Sequence, residues 1–203
     1  MKIHHAPNSR SVRVIWLFEE LGLPYDLEIY KLGDREMRGP DHLKRHPLGR
    51  VPVLEDEKET IFESGAIVQY VLAKYGDGAL VPSPDDPEFG TYLQWFHYAE
   101  GMLMPPINTI VVETLFLSEE RRNQVNIDRA TKLLGRMVEA ADAHLADREY
   151  FAGNFSGADI MSGHACIAAS RFGADVSDLP NVAAYIDRLK ARPALRVAFA
   201  AGS

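Results

Sequence analysis

The sequence has little that would point to a secreted, membrane-embedded or nucleic-acid-binding protein. A single cysteine, Cys166, excludes an internal disulfide and a Cys-x-x-Cys redox pair. Nowhere does the chain run for about 18 residues without a charge, so no membrane span is predicted. The net charge is -7 with both signs mixed along the chain, which leaves no basic stripe for phosphate backbones. We therefore expect a cytoplasmic protein that binds neither membranes nor nucleic acid, with Cys166 as a small core residue.

The chain divides at a proline-rich segment. Three prolines fall within residues 80–87, which predicts a stiff linker. The 203 residues are 46% hydrophobic and 25% charged, as in an ordinary globular protein, and they show no internal repeat or low-complexity tract. We therefore predict two domains, residues 1–78 and 88–203, joined by a linker at residues 79–87.

Short strands alternate with helices in the first predicted domain. Residues 3–6 and 25–29 are typical of strands, and in the second of these apolar residues alternate with acids, as in a half-buried strand. Between them, spacing at i, i+3, i+4 and i+7 predicts an amphipathic helix, on which lie Val14, Leu17, Phe18 and Leu21. A crossover helix between two strands makes the strands parallel.

A hairpin and a further helix complete this domain. Residues 34–46 predict a loop with a short helix, and residues 53–54 and 60–62 flank a charged turn, which predicts an antiparallel hairpin. A last helix ends at Gly76. The order βαβ followed by αββα predicts an α/β domain of the thioredoxin-like arrangement.

The second predicted domain is all-α. A helix that starts near Phe89 runs toward Pro105 and Pro106, where it must kink or stop. A second long helix is predicted over residues 119–147. Ser156 and Asp159 precede an apolar segment at the spacing of a capping box, which we interpret as a structural feature.

Two segments of the first domain indicate a binding site for another peptide. Pro52 stands between two valines, where it must begin a strand or lie at an edge because it cannot donate a ladder hydrogen bond. A cis Val51-Pro52 bond would present the amide and carbonyl of Val51 to a ligand. Glu63 and Ser64 stand at the head of the following helix, a place that favours anions.

Four segments in order resemble the cytosolic glutathione S-transferase family, and the resemblance covers nearly the whole chain. They are residues 8–25, Pro47-Leu48-Gly49-Arg50-Val51-Pro52-Val53-Leu54, Glu63-Ser64-Gly65-Ala66-Ile67, and the capping box at 156–159. His97-Tyr98-Ala99-Glu100-Gly101 followed by two prolines looks like a branch shared by bacterial and fungal members. The resemblance implies the glutathione transferase fold, glutathione as co-substrate, and a two-fold homodimer.

The serine-type members of this family imply that Ser9 is the catalytic residue. Ser9 lies between the first strand and the first helix, where its hydroxyl would donate a hydrogen bond to the glutathione thiolate. Ser11, or an amide near Asn8, is an alternative donor. Either serine could instead be the N-cap of the helix, which is the preferred role of serine at such a boundary.

The remaining contacts with glutathione follow from the same resemblance. The backbone of Val51, held by Pro52, would pair with the cysteinyl portion of the tripeptide. Glu63 and Ser64 would bind the α-ammonium and the α-carboxylate of the γ-glutamyl end. Arg50 either offers its charge to a glutathione carboxylate or is a solvated surface residue.

The family's geometry also implies a pocket for an electrophile, with Tyr98 and Met102 in its wall. Aromatic residues at helical spacing are equally typical of a core. No metal is expected, because His42 and His46 are four residues apart but are followed by Pro47 and have no third ligand.

The predicted function is that of a glutathione transferase. Such an enzyme conjugates the glutathione thiolate to an electrophilic, largely apolar small molecule, as in detoxification, and can have a peroxidase side activity. One alternative is a glutathione-dependent thiol reductase, although this would have a cysteine at the start of the first helix. The other is a non-catalytic glutathione-binding or scaffolding protein of the same fold.

Overall fold

The strands form one mixed sheet. In the computed structural model, which describes residues 1–202, they are β1 (Lys2–His5), β2 (Asp26–Ile29), β3 (Val53–Asp56) and β4 (Glu59–Phe62), in the spatial order β2-β1-β3-β4. β1 and β2 are parallel, and β3 runs antiparallel to both β1 and β4. The predicted parallel pair and the predicted hairpin are both confirmed.

Three helices accompany this sheet within residues 1–80. α1 (Val12–Leu21) buries the residues of its first two turns and ends at Gly22, whose φ of 64° favours glycine. A 3₁₀ turn (Arg35–Arg38) leads into α2 (Pro40–Arg45), and α3 (Ser64–Tyr75) follows β4 directly. The predicted thioredoxin-like order of elements is therefore present.

β2 departs from the predicted alternation. Its last residue, Ile29, is 48% exposed, although the pattern predicts a buried side chain. β2 is an edge strand with β1 as its only neighbour in the sheet order, so fewer elements cover its side chains. The strand itself is correctly predicted.

A buried carboxylate joins the sheet to α3. Asp56, at the end of β3, accepts hydrogen bonds at Oδ2 from the Tyr70 hydroxyl (2.7 Å), Lys74 Nζ (2.9 Å) and the Tyr75 hydroxyl (2.5 Å). Burial raises the pKa of Asp56, but the hydrogen bonds from these three groups outweigh it and lower the pKa to about 2.

Asp56→Asn should lower the free energy of unfolding by about 2 kcal/mol at neutral pH, because a carboxyl whose pKa falls on folding stabilises the folded state. This contribution is complete above the unfolded pKa, at about pH 4, and disappears as the pH falls toward 2. Urea unfolding of both proteins across this range should therefore show the difference shrinking toward zero. Asp41→Asn is the control, because Asp41 is exposed and should matter little. A difference that is constant with pH would contradict the role of Asp56.

The second part of the chain is helical. Its α-helices are α4 (Phe89–Tyr98), α5 (Met104–Val111), α6 (Gln124–His144), α7 (His164–Arg171) and α8 (Pro180–Lys190). Within residues 1–202, no helix combines the length and the apolar character that crossing a membrane requires.

The helix that begins at Phe89 does not stop at the double proline. A π-helical turn (Ala99–Leu103) continues α4 directly into α5, whose first turn contains Pro105 and Pro106. Prolines remove backbone donors from a helix, and here a π-helical turn directly precedes the turn that contains them. Of the two predicted outcomes, the stop therefore does not occur.

α6 begins later than predicted. The sequence pattern places its start near Glu119, but a separate 3₁₀ turn (Glu119–Arg121) comes first. Asn123 is the N-cap, and its side chain accepts hydrogen bonds from the amides of Val125 and Asn126. The apolar periodicity could not reveal this boundary because the polar residues before it fit a helix equally well.

The predicted capping box is confirmed. The Ser156 amide donates to Asp159 Oδ2 (2.8 Å), and the Ala158 amide donates to the Ser156 hydroxyl (3.3 Å). Asp159 Oδ1 also accepts hydrogen bonds from the Phe151 amide (3.1 Å) and the Tyr185 hydroxyl (2.8 Å). Burial raises the pKa of Asp159 to about 6, against these hydrogen bonds. The box is therefore part of a buried polar network.

The chain forms two compact units that do not coincide with the predicted halves. Unit 1 contains residues 1–80 and the segment from Lys190 onward, and unit 2 contains Val81–Leu189. A last helix, α9 (Pro193–Ala200), packs on α1 within unit 1, where Leu195 and Ala198 are buried. The helical pattern shows that this segment is a helix but cannot show which unit its apolar face joins.

Candidate active site

The three predicted binding segments meet at one end of the sheet of unit 1. β1 ends where β3 begins, and β4 ends beside the same point, because both pairs are antiparallel. Ser9 follows β1, Val51 and Pro52 precede β3, and Glu63 and Ser64 follow β4. Segments that are far apart in sequence thus lie side by side.

Ser9 and Ser11 lie in the connection from β1 to α1. Ser11 is fully buried; its Oγ lies 2.7 Å from His5 Nδ1 and accepts a hydrogen bond from the Ala6 amide (3.2 Å). Ser9 is partly exposed; its Oγ lies 2.6 Å from Ser11 Oγ and accepts a hydrogen bond from the Ser11 amide (3.2 Å). Ser11 occupies the N-cap position of α1, but its side chain makes no capping hydrogen bond. Of the two serines, Ser9 offers surface to a ligand, and its role as thiolate donor stays a prediction.

The two adjacent histidines of β1 point to opposite faces of the sheet, because successive residues of a strand alternate. His4 contacts Glu55 and the Tyr30 hydroxyl, with 3.0 Å from its Nδ1 to the hydroxyl oxygen. His5 contacts Ser11 through its Nδ1, and its Nε2 donates to the Ala201 carbonyl (3.0 Å). Burial lowers the pKa of His5, and the hydrogen bond to the Ala201 carbonyl raises it less, so His5 is neutral near pH 7.

The segment before β3 contains the predicted cis Val51-Pro52 bond. Pro52 is buried and Val51 is partly exposed, while the Arg50 side chain is exposed. His42 Nε2 donates to the Arg50 carbonyl (2.9 Å), which ties this segment to α2. Gly49 has a φ of 59°, and a Cβ there would lie 2.3 Å from the Met37 carbonyl oxygen. A glycine is therefore required immediately before the predicted backbone clamp.

Glu63 and Ser64 begin α3. Glu63 is exposed, has a φ of 74°, and makes no side-chain capping hydrogen bond. A positive φ in a residue other than glycine is uncommon and is often found at functional positions. Ser64 is buried, and its Oγ accepts a hydrogen bond from Nη1 of Arg13 (3.1 Å), a residue of α1 that is 0% exposed.

This end of the sheet favours ligands that carry both charges. α1 and α3 both begin here, and a helix N-terminus attracts negative charge. The Arg13 guanidinium places a full positive charge beside the first residue of α3. The exposed carboxylate of Glu63 is negative. The arrangement can therefore hold a carboxylate at the start of α3 and an ammonium group beside Glu63.

The two predicted pocket residues differ in their surroundings within unit 2. Tyr98 is half-buried against Trp95, with 4.6 Å between ring centroids, and its hydroxyl donates to the Met137 carbonyl (3.0 Å). Met102, in the π turn, is 42% exposed. The Tyr98 hydroxyl is thus already bonded within the helical unit, and the Met102 side chain is accessible.

The histidines considered as metal ligands have other partners. His42 donates to the Arg50 carbonyl, and His46 Nδ1 accepts a hydrogen bond from the Leu48 amide (3.2 Å). Among residues 1–202, no group of three or more histidine, cysteine, aspartate or glutamate side chains is arranged to hold a metal ion.

Two residues of this site have no role in the sequence-based predictions. Arg13 had a visible signal, because it is the one charge within the apolar run of residues 12–18. An arginine buried in such a run needs polar partners, and Ser64 provides one. His5 had no comparable signal, since its partner Ala201 lies 196 residues away in sequence.

Comparison with known proteins gives a consistent family. The model of the glutathione S-transferase N-terminal domain matches residues 1–73, and that of the C-terminal domain matches residues 103–193. Glutathione S-transferase 3 of Schizosaccharomyces pombe is 30% identical, over 97% of this chain and 85% of its own length. Glutathione S-transferase 4 of Zea mays is 36% identical, over 90% of this chain and 83% of its own.

A solved structure of a glutathione S-transferase has the same fold as this chain. The theta class glutathione S-transferase from the citrus canker pathogen Xanthomonas axonopodis pv. citri, with glutathione bound, is 28% identical to this chain and matches it with a TM-score of 0.86. The match covers 98% of this chain and 96% of that one. With both domain models, close relatives along its length and the shared fold, the chain belongs to the glutathione S-transferase family.

Proposed function

We propose that this protein is a glutathione transferase, which binds glutathione at the described end of the sheet and conjugates its thiolate to an electrophilic, largely apolar small molecule. The observation that carries the proposal is the meeting of Ser9, Val51-Pro52 and Glu63-Ser64 at one place. Membership of the family and the glutathione bound to the Xanthomonas relative support it.

The charges of the site would fix the orientation in which glutathione binds. Its γ-glutamyl α-carboxylate would lie at the start of α3, near the Ser64 hydroxyl and the Arg13 guanidinium. Its α-ammonium would pair with the exposed carboxylate of Glu63. The cysteinyl backbone would then pair with Val51, and its thiol would reach Ser9. Arg50, exposed beside Val51, would be free to approach a second carboxylate.

Glu63→Ala and Ser64→Ala should each weaken glutathione binding by about 1 to 3 kcal/mol, or about 5- to 150-fold, because each removes a partner of a charged group. Calorimetric titration with glutathione measures the change. Glu59→Ala is a matched control for Glu63, since Glu59 is an exposed glutamate at the opposite end of β4 and should leave affinity unchanged. Full affinity in both site variants would contradict the assignment of the γ-glutamyl end.

The decisive test of the proposed function is a conjugation assay with glutathione and a panel of electrophiles. We expect glutathione-dependent turnover of at least one apolar electrophile. Glutathione binding without turnover of any would instead support the scaffolding alternative. The panel should include an organic peroxide, because the same thiolate can reduce one.

The thiol reductase alternative finds little support in the chain. A reductase of this fold would use a reactive cysteine beside the start of α1, where Ser9 stands. Cys166 lies in α7 of unit 2 and is fully buried; burial, and secondarily the charge of Asp159, raise its pKa to about 12. Such a thiol is inert at neutral pH.

The electrophile pocket, the domain division and the assembly belong to the same proposal. Met102 would supply accessible apolar surface, and the half-buried Tyr98 would contribute its ring while its hydroxyl stays bonded to the Met137 carbonyl. Residues 1–78 would bind glutathione and residues 88–203 the electrophile, with the linker at 79–87, except that α9 packs on α1 within unit 1. A two-fold homodimer is the expected assembly.

A further inference from the structure

A line of hydrogen-bonding groups runs inward from Ser9. Ser9 Oγ lies 2.6 Å from Ser11 Oγ, Ser11 Oγ lies 2.7 Å from His5 Nδ1, and His5 Nε2 lies 3.0 Å from the Ala201 carbonyl oxygen. All three distances are those of good hydrogen bonds. Ser9 is partly exposed, whereas Ser11 and His5 are both 0% exposed. The line therefore joins the surface to a buried imidazole.

The direction of donation along this line is fixed from its inner end. A carbonyl oxygen only accepts, so His5 carries its proton on Nε2 and has a lone pair on Nδ1. Ser11 then donates its hydroxyl proton to Nδ1, 2.7 Å away, in preference to the Ala6 carbonyl oxygen at 3.3 Å. One lone pair of Ser11 Oγ accepts the Ala6 amide, and the other accepts the hydroxyl of Ser9. Ser9 thus directs its proton inward, away from a ligand.

This direction is the wrong one for stabilising a thiolate but the right one for removing a proton from a thiol. Ser9 Oγ accepts the Ser11 amide with one lone pair, which leaves the other for a donor such as an S–H group. A neutral thiol at this position would donate to Ser9, Ser9 to Ser11, and Ser11 to His5. Four groups would then form one continuous chain of donors.

We infer that His5 takes up, through Ser9 and Ser11, the proton that the thiol of bound glutathione gives up. The inference rests on the proposed function, since it requires glutathione with its thiol at Ser9. The S–H bond breaks and its electron pair stays on sulfur; Ser9 and Ser11 each receive one proton and pass one on; an N–H bond forms at Nδ1 of His5. No proton leaves the protein, and no oxidant or reductant is needed.

The reversed chain supplies the donor that the thiolate needs. With Nδ1 protonated, His5 donates to Ser11, and Ser11 donates to Ser9 Oγ at 2.6 Å in preference to the Ala6 carbonyl oxygen at 3.3 Å. With the Ser11 amide as the second donor, both lone pairs of Ser9 Oγ are then occupied. The Ser9 hydroxyl must then donate outward, to the sulfur. The imidazolium keeps its second donor on the Ala201 carbonyl, and its attraction to the thiolate must outweigh the burial that lowers the pKa of His5. Within residues 1–202, only burial and this carbonyl shift the pKa of His5, so no carboxylate holds it protonated beforehand.

Nitrogen-15 NMR of the histidine side chains tests the inference on the unaltered protein at neutral pH. When glutathione binds, Nδ1 of His5 should move from the position of an unprotonated to that of a protonated nitrogen. S-Methylglutathione, which has no thiol proton, should leave Nδ1 unprotonated. His5→Asn identifies the resonance among the seven histidines. An Nδ1 that responds equally to both ligands, or to neither, overturns the inference.

A count of released protons provides a second, independent readout. Thiolate formed on binding is measured by ultraviolet absorbance, and protons released are measured by calorimetry in buffers of different ionisation enthalpy. The unaltered protein should release far fewer protons than it forms thiolates, whereas His5→Asn and Ser11→Ala should release one for each. His4→Asn is the matched control, since His4 is equally buried on the same strand but faces the other side of the sheet.

The two proposals fail in different ways. If the unaltered protein forms thiolate and releases one proton for each, the relay to His5 is overturned and the proposed function stands. If glutathione binds without forming thiolate, or does not bind, the proposed function is overturned and the relay with it.

Discussion

Ser9→Ala should raise the pKa of the thiol of bound glutathione by about 1 to 2 units and slow conjugation about 10- to 100-fold at pH 6.5. A free thiol with a pKa of about 8.5 is almost entirely protonated at that pH. One hydrogen bond from Ser9 to the thiolate is worth about 1.5 to 3 kcal/mol, which corresponds to this change in pKa. Ultraviolet absorbance of the bound thiolate, titrated against pH, measures it directly.

The sign of the pH dependence separates Ser9 from a residue that only binds glutathione. At a pH below the thiol pKa in both the unaltered enzyme and Ser9→Ala, their conjugation rates should differ by the full factor. Above about pH 9 this difference should vanish, because the bound thiol is ionised in both. Ser83→Ala, in the exposed linker, should behave like the unaltered enzyme. An unchanged titration in Ser9→Ala would transfer the role to Ser11 or to an amide near Asn8.

Gly49→Ala should destabilise unit 1 by about 2 to 5 kcal/mol and weaken glutathione binding. The positive φ of Gly49 costs an alanine about 1 to 2 kcal/mol. The new Cβ would also lie 2.3 Å from the Met37 carbonyl oxygen, so backbone must shift, which costs about 1 to 3 kcal/mol more. Because Arg50 and Val51 follow directly, the shift would move the predicted backbone clamp. Urea unfolding and calorimetry with glutathione measure the two effects.

Gly33→Ala provides the matched control for Gly49. Gly33 also has a positive φ, of 84°, but a Cβ there would meet nothing within 4 Å. It should therefore show the backbone cost alone and leave glutathione binding intact. Equal losses of stability in the two variants would mean that the contact with Met37 relaxes without cost.

Much of the fold could be predicted from the sequence because its elements leave local signals. Apolar spacing located α1, the charged turn located the β3-β4 hairpin, and Ser156 with Asp159 marked a helix start. The errors arose where the deciding contact is not local. Ile29 is exposed because its strand lies at an edge, and α9 joins unit 1 because α1 is its packing partner.

In the site, too, residues with a local sequence signal could be predicted, and residues that depend on distant contacts could not. Ser9, Val51 and Ser64 could be proposed because short motifs of a known family contain them, and the antiparallel pairing of β3 explains why those motifs meet. His5 could not be proposed, since its two partners come from the α1 boundary and from the end of α9. The sequence likewise does not show that Ser11 is buried against His5, because Ser9 and Ser11 lie in the same short segment and have the same side chain.

The position of α9 also has a consequence for the order in which the protein can be completed on the ribosome. Unit 2 is one continuous segment, whereas unit 1 is interrupted by the whole of it. The face of α1 that α9 covers, and the carbonyl that orients His5, are supplied only after unit 2 has been synthesised. The residues that would bind glutathione emerge first, but the unit that contains them is the last to be finished.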